Sequence, residues 1–147
     1  PSGPGNRPGA RSRPMRRRRD MKLVEDITLA NTLHLELWDA SRAIAKDIVK
    51  VEVVIAVRVP LLAEYFDDPA HYELVKKVHG AELHFEYRKE RTFVHLDDRE
   101  RIFGELVSDF KQGSLRYIGH TEFPRRFALS RLREIMQNTY KYRHILQ

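Results

Sequence analysis

The sequence predicts an α+β fold: helices pack on one face of an antiparallel sheet of about four strands, arranged as two hairpins, and two of the helices are C-terminal. Stretches in which apolar and polar residues alternate occur in pairs, and each pair is followed by apolar residues at helical spacing. The 147 residues, 41% of them hydrophobic, are enough for one ordinary domain. We therefore expect a single domain over residues 21–147, preceded by an arm over residues 1–20.

The arm differs from the rest of the chain in composition. It holds seven Arg, four of the seven Pro and three of the seven Gly, with Asp20 as its single acidic residue. Its only aliphatic residues are Ala10 and Met15, so it cannot bury enough apolar surface to offset its chain entropy, and we expect it to be disordered. Such an arm is either a phosphate-binding tail or a non-native leader upstream of a start at Met21.

Two extended stretches form the first half of the predicted sheet. The stretch from Ile27 to Leu37 is predicted to be a strand with one buried face, because its leucines alternate with polar residues. Residues 49–59 alternate valine and isoleucine with other residues and give the strongest strand signal in the chain. Between them, residues 39–47 are either a short helix or a hairpin connection.

The second half of the sheet is predicted from residues 83–96. Leu83, Phe85 and Tyr87 alternate with polar residues, and a charged segment at 88–91 leads into a further apolar stretch at 92–96. We interpret this as a hairpin, although its tip lacks Gly, Asn and Asp. One long bent strand is the alternative.

Three helices are predicted from their end signals and apolar faces. The first begins at Asp68 and Pro69 and ends at Gly80. The second begins with the capping-box spacing of Asp97 and Glu100 and ends at Gly113 in a left-handed conformation. After an extended link at 115–118, a long amphipathic helix is predicted over about 124–143.

Composition excludes several classes of protein. With no Cys, a disulfide scaffold, a thiolate metal site and a cysteine nucleophile are all excluded, and a reducing, cytoplasmic location is expected. The longest apolar run, Val53 to Val57, is far shorter than the roughly 20 residues that cross a bilayer, so no membrane association is expected. Neither a dinucleotide fingerprint nor a phosphate-binding loop is present, and we expect no cofactor.

Histidines and carboxylates on the polar faces of two predicted strands form a candidate metal site. Glu82 and His84 lie on one strand and His34 on another. If these strands are neighbours, or if His95 approaches across the hairpin, imidazoles and carboxylates converge on a divalent metal, as in a metal-assisted enzyme. The simpler interpretation is a solvated sheet face.

Basic residues form a candidate nucleic-acid surface. In the predicted last helix Arg126, Arg133 and Lys141 lie on the side away from the apolar face, in position to follow a phosphate backbone. The segment from Tyr87 to Phe93 places aromatic residues around a basic tip, as in base-stacking surfaces. The arm adds Arg16, Arg17, Arg18 and Arg19. Each feature is also explained by ordinary solvent exposure.

Trp38 is a candidate for self-association. If it faces outward, it forms a half-exposed patch with Val54 and Ala56 on the adjoining strand. Packing beneath residues 39–47 is the alternative.

Charge is segregated along the domain. Residues 21–113 carry 13 basic and 18 acidic residues, whereas residues 114–147 carry seven and two. Arg126 and Arg133 are therefore expected to meet the acidic part of a second copy. The favoured interpretation is a cytoplasmic, non-catalytic binding or structural module that forms a homodimer. Nucleic-acid binding is the alternative, and metal-assisted catalysis the second alternative.

Overall fold

The computed structural model describes residues 20–146. Its sheet has five strands, and every neighbouring pair is antiparallel. The strands are β1 (Lys22–Thr28), β2 (His34–Asp39), β3 (Arg42–Ala45), β4 (Ile48–Pro60) and β5 (Glu82–His95). β2 and β3 pair in succession with one side of β4, β5 pairs with the other, and β1 lies outside β2. The predicted α+β class with an antiparallel sheet is confirmed.

The two faces of the sheet differ in character. On the inner face, Leu35 and Leu37 of β2 and the alternate residues of β4 from Val49 to Val59 are buried in the main core. On the outer face β4 presents Lys50 and Arg58. The alternation that predicted these strands therefore also assigns the core face correctly.

The stretch predicted as one strand from Ile27 to Leu37 is instead the hairpin between β1 and β2. The chain turns because the Leu29 N–H donates to the Leu33 carbonyl at 2.8 Å and Thr32 adopts a positive φ of 73°. The Asn31 amide donates to the carbonyls of Ile118 and His120, both at 2.9 Å, which ties this turn to the helical layer.

Residues 39–47 are not a helix, and they are more than a hairpin connection, because Arg42–Ala45 form the strand β3. At the step between β2 and β3, the Ala40 N–H donates to the Glu52 carbonyl at 2.9 Å, and the Ser41 hydroxyl accepts from the Glu52 N–H at 3.0 Å. The chain then continues as β3 and turns at Asp47, whose φ is 60°. Pairing with β4 thus overrides the helical composition of this segment.

Residues 82–95 form one strand, so the predicted hairpin is wrong and the long-strand alternative is correct. β4 is 13 residues long and offers a partner along the whole of β5. The register shifts once, between Val49 and Val51, and Phe93 on the opposing strand has a φ of 55°. A bulge at this point absorbs the one residue by which β5 exceeds β4 in length.

In the described part of the chain, five α-helices follow or separate the strands. They are α1 (Pro69–His79), α2 (Arg99–Gly113), α3 (Leu115–Ile118), α4 (Phe123–Gln137) and α5 (Thr139–Leu146), with short 3₁₀ turns at Ala63–Tyr65 and Leu96–Asp98. The ends of α1 are as predicted: Asp68 accepts from the Ala70 N–H at 2.9 Å, and Gly80 has a φ of 87°.

The ends of α2 and the link after it differ from prediction. A 3₁₀ turn that contains Asp97 precedes α2, and the N-cap position is taken by Asp98, which forms no side-chain capping bond, so Asp97 does not cap the helix. Gly113 is the last helical residue and is not left-handed. Residues 115–118, predicted as extended, form the short helix α3.

The predicted last helix is broken at Asn138, which has φ −131° and ψ 43°. Its side-chain amide donates to the Glu134 carbonyl at 2.8 Å, while its backbone N–H donates to the Ile135 carbonyl at 3.1 Å. The side chain thus takes the acceptor that the helical backbone bond would have used, and a second helix begins at Thr139. None of the helices between residues 20 and 146 is long and apolar enough to span a bilayer.

Candidate functional site

A groove of about 480 Å³ crosses the outer face of the sheet and contains most of the predicted metal ligands. Its floor includes Ala56 of β4, which pairs with Glu36 of β2 on one side and with Glu86 of β5 on the other. The small side chain of Ala56 leaves space between the two glutamates. We call this concavity the outer groove; its charged walls are Asp26, His34, Glu36, Arg58, Glu82, His84 and Glu86.

The outer groove does not gather the predicted ligands into a metal site. β4 separates β2 from β5, so His34 and His84 lie roughly 10 Å apart across the intervening strand. His95 pairs with Ile48 at the opposite end of β5, far from Glu82. Over residues 20–146, no three His, Cys, Asp or Glu side chains stand close enough to hold a metal ion. Neither condition of the metal hypothesis, adjacent strands or an approach of His95, is therefore met within residues 20–146.

Three of the groove carboxylates have protein partners. Asp26 Oδ1 lies 3.3 Å from His34 Nδ1, and Glu86 Oε2 lies 2.7 Å from an Arg88 guanidinium nitrogen. Glu36 Oε1 accepts a bond from the Trp38 indole N–H at 3.1 Å. Trp38 is only 8% exposed and Val54 is fully buried, so the predicted half-exposed aromatic patch is wrong.

A buried carboxylate lies beside the groove on the same sheet face. Glu52 is 7% exposed and accepts a bond from Arg88 at 2.8 Å, with Lys50 at 3.9 Å. Burial acts to lower the pKa of Arg88, but its hydrogen bond to Glu52 and the nearby Glu86 outweigh this and raise it. Arg88 therefore serves as the permanent counter-ion of an acid that burial would otherwise penalise.

The segment from Tyr87 to Phe93 does not form an aromatic-rimmed basic tip. Arg88 is engaged by Glu52 and Glu86, and Tyr87 packs against Phe110 with ring centroids 5.9 Å apart. Phe93, in contrast, is 76% exposed at the bulge. The predicted surface is wrong because the segment runs through the middle of a strand, where its side chains alternate between the two faces.

Of the predicted nucleic-acid residues, the structure brings Arg126 and Arg133 together and separates Lys141 from them. Arg126 and Arg133 line one concavity on α4, together with Ser130. Lys141 lies beyond the helix break, and its Nζ is 3.5 Å from Glu134 Oε2. Arg16, Arg17, Arg18 and Arg19 lie outside the described residues.

The concavity on α4 is lined by arginines and by aromatic rings. Phe123 and Phe127 are buried and stack with a 6° interplanar angle, and Phe85 meets both edge-on at 5.4 and 5.5 Å. Tyr117 meets Phe123 edge-on at 5.6 Å and is 53% exposed. We call this surface the arginine–tyrosine patch and define it as Tyr117, Arg126, Arg131 and Arg133 over the floor of Phe85, Phe123 and Phe127.

Two of the three arginines of the patch, Arg126 and Arg133, lack an acidic partner within residues 20–146, whereas Arg131 acts electrostatically on Glu134. Residues 114–147 contain only two acids, Glu122 and Glu134. Glu122 lies 4.0 Å from Arg125, and Glu134 accepts bonds from the Tyr142 hydroxyl at 2.7 and 2.8 Å. Within residues 20–146, Arg126 and Arg133 form no ion pair.

Sequence reasoning missed Tyr117 and Arg131. Tyr117 lies in a segment predicted as an extended link, so no face could be assigned to it. Arg131 lies off the predicted basic strip, and its guanidinium carbon is 4.9 Å from the Phe127 ring centroid. The sequence signal for Tyr117 was its position next to Arg116, which places an aromatic beside a basic residue. The short helix α3 contains both residues and brings Tyr117 to the surface.

His79, at the end of α1, is the other perturbed titratable group near α4. Its Nε2 is buried without a hydrogen-bond partner among the described residues. Burial, followed by the positive charge of Arg131, lowers its pKa, and Glu134 only partly opposes this. The Glu134 pKa is itself lowered, chiefly by the hydrogen bond from Tyr142. His79 is thus held neutral between α1, α4 and α5.

Comparison of the chain with protein-family models, with curated proteins and with solved structures finds no match in any of the three.

Proposed function

We propose that this protein is a binding module whose arginine–tyrosine patch binds single-stranded nucleic acid. The observation that carries the proposal is the half-exposed ring of Tyr117, fixed on a buried aromatic floor and bordered by Arg126 and Arg133, which have no acidic partner among residues 20–146. A cytoplasmic location, in keeping with the lack of Cys, is part of the proposal.

The two components of the patch suit different parts of a nucleotide. Guanidinium groups donate to phosphate oxygens with matched geometry and remain charged at every physiological pH. An exposed aromatic ring offers a stacking face to an unpaired base, whatever its identity. Their proximity favours a single strand, because the bases of a duplex are already stacked on one another.

The side chain of Arg131 is held in place within the arginine–tyrosine patch. Its guanidinium lies over the Phe127 ring at 4.9 Å, which limits the directions in which it can donate. A guanidinium held in this way loses less side-chain entropy when it binds phosphate.

The proposal is tested by fluorescence anisotropy with labelled oligo(dT) and oligo(U), comparing the wild-type chain with R126A/R133A. We expect the variant to bind about 10-fold more weakly at low salt. The slope of log affinity against log salt should become shallower by about 1.4, since each phosphate contact on a single strand accounts for roughly 0.7.

A matched control is R42A/R101A, which removes the same charge from exposed positions on β3 and α2. Equal weakening in both double variants would mean that only net charge matters, and would contradict a binding site on α4. No binding by the wild-type chain at low salt would contradict the proposal outright.

A second candidate function is self-association, and the free outer edge of β1 favours it. β1 pairs only with β2 among the described strands, and it exposes Leu23 and Val24 by 45% and 48%. Antiparallel pairing of two copies centred on Val24 would set Lys22 of each copy opposite Asp26 of the other.

Sedimentation equilibrium at several concentrations tests this second candidate. We expect a dimer that is lost in V24K and kept in I44K, which adds the same charge at a similarly exposed position on β3. A monomer at all concentrations, or equal behaviour of the two variants, would contradict it.

A further inference from the structure

We propose that the outer groove is the docking site of this chain's own arginine-rich N-terminal segment, residues 1–19. The inference does not depend on nucleic-acid binding, because it concerns the opposite layer of the fold and a different set of charges.

The charge of the outer groove selects a cationic occupant. Its walls carry the carboxylates of Asp26, Glu36, Glu82 and Glu86 and the guanidinium of Arg58. Arg88, beside the groove, pairs with Glu86, and the carboxylates still outnumber the guanidinium groups. Glu82 is exposed and forms no ion pair within residues 20–146. A phosphate or carboxylate ligand would be repelled by this excess of negative charge, whereas a guanidinium-rich segment is attracted to it.

The groove lies on the face of the sheet opposite the one on which the helices of residues 20–146 pack. The helices share their core with the inner-face residues of β2 and β4, such as Leu35 and Val57. Ala56, between the two glutamates, gives an extended segment room to approach the sheet. The surface therefore has the shape and the charge for an extended cationic peptide.

Residues 1–19 match this surface in charge and in position along the chain. They contain seven Arg and no acidic residue. The segment ends just before β1, and β1 itself carries Asp26 to the groove wall. From Lys22 to Asp26 is about 13 Å along the strand, while nineteen residues can extend to roughly 60 Å, so the segment can turn back and reach the whole groove.

Attachment to the same chain favours this occupant over others. A tethered segment meets its site at an effective concentration in the millimolar range, well above that of a free peptide or a second copy. Each exposed guanidinium–carboxylate contact is weak and screened by salt, so docking depends on several contacts forming together. A docked segment would also withhold its arginines from any polyanion.

The test uses the full chain and the fact that it has no cysteine. S12C provides a unique attachment point for a nitroxide spin label within the arginine-rich segment. We expect the label to broaden the amide signals of Asp26, Glu36 and Glu86, and the indole N–H signal of Trp38, the single tryptophan, which is bonded to Glu36. The signals of α4, on the other side of the sheet, should lose less intensity than those of the groove.

The groove is then altered at two exposed carboxylates by D26N/E82Q, with E73Q/E100Q as the control at exposed positions on α1 and α2. We expect D26N/E82Q, and high salt, to restore most of the lost intensity, and E73Q/E100Q to change nothing. Broadening spread evenly over the surface, or equal effects of the two double variants, would overturn the proposal.

A mixed sample identifies which copy provides the segment. Spin-labelled chain without ¹⁵N is mixed with unlabelled ¹⁵N chain. Broadening lost in the mixture is the result expected for docking within one chain. Broadening that persists would show that the segment binds a second copy and would overturn docking in cis.

Discussion

Tyr117 meets Phe123 edge-on, with their ring centroids 5.6 Å apart, so that an exposed ring is supported by a fully buried one. The contact fixes the orientation of the only half-exposed aromatic side chain that lines the concavity on α4 within residues 20–146. A stacking surface held in this way binds a base without first having to be ordered.

The first prediction concerns stacking by Tyr117. Y117A should weaken oligo(dT) binding by about 1–3 kcal/mol, since the loss of one base–aromatic stack costs about that much. Y117F keeps the ring and should bind like the wild-type chain. Anisotropy titrations measure both. If Y117F is as weak as Y117A, the hydroxyl group and not the ring makes the contact.

The second prediction concerns pH. The His79 pKa is lower in the folded protein than the value of about 6.5 in the unfolded chain. Between these two values the unfolded chain binds more protons than the folded chain. The contribution of His79 to the free energy of unfolding is therefore fully present above pH 6.5 and declines as the pH falls toward the folded pKa. Urea unfolding of the wild-type chain and H79L at pH 7.5 and 5.5 measures this contribution.

H79L should reduce that decline, and it should be at least as stable as the wild-type chain at pH 5.5 because it removes an unpaired buried nitrogen. An unchanged pH dependence in H79L would assign the effect to the other six histidines.

The third prediction concerns the buried acid Glu52. R88A should lower the free energy of unfolding by about 1–2 kcal/mol, because it leaves a carboxylate that is 7% exposed with Lys50 as its remaining cationic neighbour among residues 20–146. R91A, on the same strand and 4.0 Å from exposed Glu105, should cost less than about 0.5 kcal/mol. The double variant E52Q/R88A should be more stable than R88A, because it also removes the unpaired carboxylate charge. If the stability changes of E52Q and R88A simply add in the double variant, Glu52 and Arg88 are not a coupled pair.

The fourth prediction concerns backbone strain at the bulge of β5. Phe93 has a φ of 55° and is 76% exposed, so its side chain contributes little packing to offset a conformation that suits glycine. F93G should raise the free energy of unfolding by about 1 kcal/mol, whereas F93A keeps a Cβ and should not. A loss of stability in F93G would show that the Phe93 ring packs against its neighbours more than its exposure indicates.

The alternation of apolar and polar residues and the signals at helix ends predicted the features that depend on local sequence. The strand at β4 and the ends of α1 follow from the valines of β4 and from Asp68, Pro69 and Gly80, whose preferences act within a few residues. These signals were enough for the fold class. They do not report which segments become neighbours in space.

The errors arise where tertiary pairing or one side-chain bond decides the outcome. Residues 88–91 stay extended because β4 is long enough to pair with them. Asn138 breaks a helix because its side-chain amide bonds the Glu134 carbonyl. The strand adjacency that the metal hypothesis required is not found because β4 lies between His34 and His84, which no spacing in the sequence reveals. The arginine–tyrosine patch was predicted only in part. The shared helix face of Arg126 and Arg133 was expected, whereas Tyr117 joins them only through the packing of α3.

The most direct test of the arginine–tyrosine patch is an NMR titration of the full ¹⁵N-labelled chain with a short oligo(dT). We expect the amide signals of Tyr117, Arg126, Ser130 and Arg133 to shift with added oligonucleotide, while those of Arg42 and Ile44 on β3 stay in place. Shifts confined to the outer sheet face, or no shifts at low salt, would contradict this expectation.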